Sequence, residues 1–322
     1  MIISASRRTD IPAFYSEWLL NRLREGFVLV RNPFNPNQVS RVPLDPRTVD
    51  AIVFWTKNPA PILSRLEEIE RLGYCYYFQF TITACDRSLE QNVPAKPELV
   101  ATFRQLAKRI GPERVLWRYD PILFTSTLTP ARHLRGFEQL AEQLQGSTRR
   151  CTISFLSLYA KCKRNLQGSK LVTLDETEKM NFVRQLAVLA EKYRIRLYAC
   201  CDSFLHEQCE IEAAKCIDGR VLASILDQPL RSKKESGQRP GCGCVASIDI
   251  GAYNTCPHGC RYCYANVSER VVSHNFAAHD PGSPLLTGAL TGREIITVKK
   301  TSSCRSPQGV LFAKSIYDNC PL

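Results

Sequence analysis

Three cysteines stand within eight residues in Cys256-Pro-His-Gly-Cys260-Arg-Tyr-Cys263, a C-x3-C-x2-C array. Three thiolates this close on a glycine-containing loop can wrap one corner of an iron–sulfur cube. A [4Fe–4S] cluster has four irons, and thiolates usually take all four. A local set of three leaves one iron open, and an open metal position marks a reactive centre rather than a structural one. Zinc is the alternative, but structural zinc sites pair C-x2-C or C-x4-C elements with a partner pair elsewhere, which fits this spacing less well.

Cysteine is abundant throughout: 15 residues, of which nine fall between Cys200 and Cys263. No charged stretch followed by an apolar run marks an export signal at the N-terminus, so a cytoplasmic location is the expectation. Thiols in that compartment are metal ligands more often than disulfides. The scattered Cys75, Cys85, Cys151, Cys162, Cys304 and Cys320 read as small buried apolar residues. The chain has 322 residues, 44% hydrophobic and 23% charged, with no apolar run long enough to span a membrane. Its 43 Lys plus Arg against 31 Asp plus Glu give +12, which permits an anionic partner such as nucleic acid. The basic residues are scattered, which is also what a solvated surface looks like.

The first 200 residues alternate short β-rich runs with amphipathic stretches. MIISAS, DAIVFW, CYYFQFTIT, RVLWRYD, CTISFLSLY and IRLYAC read as strands. PAFYSEWLLNRLREG, PILSRLEEIERLG, KPELVATFRQLAKRIG, TPARHLRGFEQLAEQLQG and LDETEKMNFVRQLAVLAEKY read as helices, the last capped by Asp175. FVLVRNPFNPNQVSRVPL is a hairpin insertion, and 218–241 a polar connection. VASIDIG is one more strand before the cysteine loop, and ANVSERVVSHNFAAH a helix after it. Such alternation predicts an α/β fold of parallel strands with helices outside, as a full or partial (β/α) barrel. Chemistry then sits at the C-terminal strand ends, where Arg7, Arg8, Thr9 and Asp10, Thr56, Lys57 and Asn58, Thr81 and Thr83, Arg118 and Asp120, Ser157, and Asp202 collect.

The loop resembles the signature of the radical SAM superfamily, and TCPHGCRYCYAN resembles its spore photoproduct lyase-like branch. Superfamily members carry this loop after their first strand. Here MIISASRRTDIPAFYSEWL resembles the second strand of that branch. IVFWTKNPAPILSRL resembles the third, and FQFTITACDRSLEQNVPAKPELVATFRQLAKRIG the fourth with its Glu-x3-Pro continuation. RVLWRYDPILF resembles the fifth. The chain thus resembles a circularly permuted radical SAM barrel whose first strand, VASIDIG, has moved to the end. As a whole it resembles the bacterial family called domain of unknown function 1848. The reading divides the chain into barrel strands and helices (1–200), a cysteine-containing connection (201–244), the permuted first strand with its cluster loop and helix (245–279), and a tail packed on the barrel (280–322).

The resemblance implies roles. Cys256, Cys260 and Cys263 would hold a catalytic [4Fe–4S] cluster whose open iron chelates S-adenosylmethionine. Reductive cleavage would give a 5′-deoxyadenosyl radical that abstracts hydrogen from an unidentified substrate. Lys57 would pair with the SAM carboxylate, and Tyr262 would lie near the adenine. Thr81 and Thr83 match a hydroxyl-bearing strand position near SAM. Strand-end position suggests Asp10 and Asp120 for ribose hydroxyls, and Arg7, Arg8 and Arg118 for an anionic substrate. A flavodoxin- or ferredoxin-like electron donor is implied. Cys200, Cys216, Cys242 and Cys244 are candidates for a second iron–sulfur cluster or a zinc ion, with Cys209 in reserve. Strand alternation argues against Cys200 and Cys201 sharing one site; Cys201 or Cys209 would then be free to donate hydrogen to a substrate radical. A nucleic-acid repair lyase of the same chemistry, and a non-catalytic iron–sulfur or zinc protein, are the competing functions.

Overall fold

Alternate residues of the apolar runs face opposite sides of one parallel sheet. The computed structural model describes residues 1–235, 237, 239 and 241–305; Cys320 and the tail beyond 305 lie outside the described residues. In chain order the elements are β1 (Ile2–Ala5), α1 (Ile11–Phe14), α2 (Ser16–Glu25), β2 (Phe27–Arg31), β3 (Gln38–Pro43), β4 (Ala51–Thr56), α3 (Leu66–Arg71), β5 (Tyr76–Thr81), α4 (Lys96–Ile110), β6 (Val115–Ile122) and β7 (Phe124–Thr125). They continue with α5 (Pro130–Leu144), β8 (Arg150–Phe155), α6 (Ala160–Asn165), β9 (Leu171–Val172), α7 (Glu176–Lys192), β10 (Arg196–Ala199), α8 (Ser203–Cys209), β11 (Glu212–Ala213), α9 (Gly219–Leu226), β12 (Ile248–Asp249), α10 (Glu269–Ala277) and β13 (Ile295–Val298).

Eight strands form one sheet in the order β11-β10-β8-β6-β5-β4-β1-β12. Every pair in it is parallel. The last strand of the sheet in sequence, β12, pairs with the first, Ile3 opposite Ile248 and Ser4 opposite Asp249. One face carries the larger core, where Ile3, Ile52, Phe54, Phe78, Trp117 and Ile153 meet the apolar stripes of the helices. In α5 that stripe is His133, Phe137, Leu140, Ala141 and Leu144, one face at helical period. The opposite face carries Ile2, Val53, Tyr77, Leu116 and Tyr198, and packs on the segments that contain Cys216, Leu222, Cys242 and Cys244.

The sheet is not a closed barrel. Its edges β11 and β12 are two residues long and do not pair with each other. Irregular backbone joins them instead: the lead-in to β12 bonds the run-out of β11 through Val245 N to Ile217 O, 3.0 Å. Tyr77, on central strand β5, reaches that run-out with its hydroxyl, 2.7 Å from Cys216 O. The sheet therefore curls around the segment that occupies its seam.

Three local expectations change. The first helix breaks at Tyr15, whose backbone leaves helical geometry and whose hydroxyl bonds Thr255 O at 2.5 Å, so tertiary contact overrides propensity. The 218–241 connection contains a helix, α9, started by the Asp218 side chain accepting from Arg220 N. The hairpin β2–β3 gains a third strand from the tail, β13, parallel to β3. No helix among the described residues is long and apolar enough to cross a membrane.

Buried His133 on α5 ties that helix to β6. Its Nδ1 meets the Tyr119 hydroxyl at 2.8 Å and its Nε2 meets Leu123 O at 2.8 Å. Burial depresses its pKa from 6.5 to about 4. The unfolded chain therefore binds the extra proton first, and stability falls as pH drops from 6.5 through about 4. A depression of that size corresponds to about 3 kcal/mol at 1.36 kcal/mol per pH unit. Urea unfolding across that window should show the loss, and His133→Gln should flatten it; an unchanged slope in the variant would assign the acid sensitivity elsewhere.

Candidate functional site

A cavity of about 390 Å³ opens at the C-terminal strand ends, within the size range of small-molecule sites. β1 contributes Arg7, Arg8 and Asp10 from the turn that follows it, β4 Thr56 and Lys57, β5 Thr81, β6 Arg118 and Asp120, β8 Ser154, and β10 Cys200 and Cys201. Cys256, His258, Cys260, Tyr262 and Cys263 form one part of its wall, and Cys216, Cys242 and Cys244 another. Thr83 is fully buried behind this wall and does not reach the cavity.

The cysteine loop is held from several sides by backbone bonds. Asn92 N and Nδ2 donate to His258 O and Pro257 O, and Arg261 N donates to Leu89 O. Arg261 also reaches Asn165 O and Gln167 O, and Asn266 Nδ2 binds Cys256 O. Ahead of the loop, Asp249 on β12 accepts from Ser4 Oγ at 3.0 Å, Arg7 N at 2.9 Å and Gly251 N at 3.0 Å. A Cβ at Gly251 would fall 2.2 Å from Ser6 Oγ, so only glycine lets the chain leave β12 this close to β1. Asp10 joins the two halves again. One oxygen caps α1 at Ala13 N, and the other accepts from Lys57 N and from His258 Nε2, each at 2.7 Å. Both oxygens are thus engaged with protein.

Within the cavity wall, burial raises the thiols of Cys256, Cys260 and Cys263 above their usual range. Such thiols keep their protons until a metal displaces them. The three influence one another electrostatically. Lys57 acts on Cys260 and Cys263 in the opposite sense, as a nearby positive charge.

Glu90, given no role in the sequence reading, organises this wall. It is 2% exposed. Its Oε1 accepts from Lys57 Nζ at 2.8 Å, from Thr83 Oγ1 at 3.0 Å and from the Tyr262 hydroxyl; its Oε2 accepts from Lys96 Nζ at 2.8 Å. Burial alone would raise the carboxyl, but Lys57 and Lys96 outweigh it and push it down to about 2. The same pairing holds Lys57 above its ordinary value against burial. Two ammonium groups to one carboxylate leave an unbalanced positive charge beside Cys260. The Glu-x3-Pro string was the available signal for Glu90.

Arg118 lines the cavity with its guanidinium engaged by protein. It lies 2.9 Å from Cys216 Sγ and pairs with Asp120, which also accepts from Ser154 Oγ. Arg7 packs over Trp55, with its Nη2 buried and without a partner, and Arg8 packs over Tyr253. Arg7 is the cation in best position for an anionic ligand.

The second cysteine set lines the other part of the cavity wall. Cys200 and Cys216 sulfurs are 3.4 Å apart. Cys244, Cys242 and Cys201 lie near enough to influence the protonation of their neighbours in this set. Cys201 joins the set although strand alternation argued otherwise. It stands just past the end of β10 at φ 49°, and this left-handed turn brings its side chain to the same side as Cys200. Cys209 has no contact with the set. Bonds from Cys200 and Cys244, with Arg118, hold the Cys216 thiol well below its usual range despite burial. Among the described residues, no group of three or more His, Cys, Asp or Glu side chains is placed to hold a metal ion.

The curled parallel sheet and this cavity define a mixed α/β protein with a cysteine-walled site at its strand ends. The chain belongs to the family described as "Domain of unknown function (DUF1848)", whose sequence pattern matches residues 2–265. No curated protein matches it. Among solved structures, a hydroxysteroid dehydrogenase from Escherichia coli is similar at 11% identity, over 78% of this chain and 96% of that one, with a TM-score of 0.26. A likeness that low carries no argument.

Removing the charge of Glu90 leaves two buried or half-buried ammonium groups facing an amide. Breaking a buried pair in this way costs about 3–5 kcal/mol. Glu90→Gln should therefore lower stability in urea unfolding far more than Lys96→Ala, whose ammonium is the more exposed of the two. Equal, small effects would show that the cluster contributes nothing to holding the loop.

Proposed function

We propose that the protein is a radical SAM enzyme, acting on a substrate that carries negative charge. One observation carries the reading. The three-cysteine loop, itself suited to three irons of a four-iron cluster, faces the same cavity as Lys57 and the strand-end cations. When bound, such a cluster supplies an electron for the reductive cleavage of SAM and so for hydrogen abstraction from an unactivated C–H bond. On this reading the barrel is of radical SAM type and circularly permuted, with β12 standing as its first strand; the parallel pairing of β12 beside β1 supports this.

The chain's own residues do the positioning. Cys256, Cys260 and Cys263 fit the donor set, being half-buried thiols on one loop without a fourth cysteine in that loop. Lys57, with Lys96 sharing its partner Glu90, offers the spare positive charge that a carboxylate near the cluster needs. Tyr262 is fixed by its hydroxyl on Glu90 while its ring faces the Lys57 ammonium, 5.6 Å from the centroid. Arg7 and Arg8 hold the anionic part of the substrate. Trp55, Phe155, Leu156 and Tyr264 line the cavity and keep water from the reacting atoms.

Anaerobic reconstitution with iron and sulfide, followed by dithionite and SAM, should yield methionine and 5′-deoxyadenosine. A fully loaded protein that leaves SAM intact under reducing conditions would overturn the reading. Lys57→Ala should keep its iron but bind SAM about tenfold more weakly, the equivalent of ~1.4 kcal/mol. Cys260→Ala should lose the cluster itself. Wild-type SAM affinity in Lys57→Ala would remove this lysine from the site.

A further inference from the structure

The seam where the sheet fails to close is also where five thiols meet. The run-out of β11 carries Cys216, the lead-in to β12 carries Cys242 and Cys244, and the end of β10 carries Cys200 and Cys201. These segments are far apart in sequence and touch by few regular hydrogen bonds. A Cβ at Gly243 would stand 3.0–3.2 Å from the Lys215 side chain, so glycine permits the approach that sets Cys244 beside Cys216. Cys200 and Cys216 are in direct contact at 3.4 Å, and Cys244, Cys242 and Cys201 lie close enough to shift the protonation of their neighbours. Four members are nearly inaccessible: Cys200 at 8%, Cys216 at 5%, Cys242 at 6% and Cys244 at 3% exposure. Cys201 alone is half-buried.

The spacing separates the two cysteine sets. Bonds of about 2.3 Å from a tetrahedral zinc ion to sulfur put the sulfurs roughly 3.8 Å apart, in contact with one another. A four-iron cube holds its thiolates apart by its own width. Cys200 and Cys216, at 3.4 Å, already stand at the single-ion spacing. Cys256, Cys260 and Cys263 line the same cavity from a separate loop. Groups that would support bound thiolates are also in place: Arg118 Nη1 lies 2.9 Å from Cys216 Sγ, and Ile217 N donates to Cys244 Sγ at 3.4 Å. Four thiolates on a divalent cation carry excess negative charge, and a buried guanidinium beside one of them offsets part of it.

We infer that Cys200, Cys216, Cys242 and Cys244 form a second metal centre, a single tetrahedral ion of the zinc class that staples the open seam of the sheet. Binding displaces the thiol protons and sets the four sulfurs at the tetrahedral spacing, with no change of oxidation state. Cys201 is left as a free thiol on the cavity side. The inference is independent of the cluster reading, and its test removes that cluster first.

The full chain carrying Cys256→Ala, Cys260→Ala and Cys263→Ala is purified anaerobically from medium holding both iron and zinc. Elemental analysis should find about one zinc per chain and no acid-labile sulfide. Growth with cobalt should give the absorption bands of a tetrahedral tetrathiolate ion, in this variant and in the parent chain alike. Adding Cys216→Ala or Cys244→Ala should abolish metal retention, whereas Cys201→Ala or Cys209→Ala should keep it. Chelation of the ion should lower the melting temperature of the triple variant. Iron with sulfide in the triple variant would overturn the single-ion assignment in favour of a second cluster. Metal-free protein with reactive thiols or disulfides would overturn the centre itself. Loss on Cys201→Ala with retention on Cys200→Ala would overturn the ligand set.

Discussion

The buried carboxylate of Glu90 is the interaction on which the site depends. A lone carboxylate at that depth would be too costly to keep charged. Lys57, Lys96, Thr83 and Tyr262 together compensate it. Each partner comes from a different place: the turn after β4, the first turn of α4, the end of β5 and the cysteine loop. One charge therefore fixes the relative positions of four segments, and the loop it fixes is the one with the C-x3-C-x2-C array. Asp10 and Asp249 repeat the device at the β1 side, spending their oxygens on backbone and side-chain donors that tie the start of the chain to residues some 240 positions later.

These acids explain why so many polar residues can gather at one end of an apolar sheet. Parallel strands all deliver their turns to the same edge. The cavity thus receives cations from β1, β4 and β6 with the acids that restrain some of them. Arg118 is restrained by Asp120 and Cys216. Arg7 keeps a buried nitrogen without a partner, and Lys57 shares a single carboxylate with Lys96. The remaining positive charge is concentrated near the three-cysteine loop rather than spread over the cavity.

An open parallel sheet exposes two edges, and exposed edges are normally shortened, covered or charged. Here both edge strands are two residues long, and irregular backbone from 214–217 and 242–246 covers the gap between them. Such backbone has few hydrogen bonds to hold it. Cysteines concentrate on both sides of this gap: Cys216 follows β11, and Cys242 and Cys244 precede β12.

Much was determined by local pattern. The C-x3-C-x2-C loop, the strand–helix alternation, the hairpin at 27–44 and the strand before the cysteine loop were all legible, because each depends on spacing within a dozen residues. So was the parallel α/β class, since period-two and period-3.6 stripes follow from backbone geometry alone. What the tertiary structure decided is everything that depends on partners distant in the chain. Glu90 lay in a readable string, yet its role exists only because Lys57 and Tyr262 converge on it. Cys201 was assigned to the wrong side because alternation holds only while the backbone stays extended, and a left-handed turn at that residue ends it. That Arg118 is held by Cys216 and Asp120 within the cavity wall likewise depends on partners that no local pattern shows. Closure of the sheet could not be read either, because it turns on whether two short edges meet, and the length of an edge strand is set by the segments packed against it.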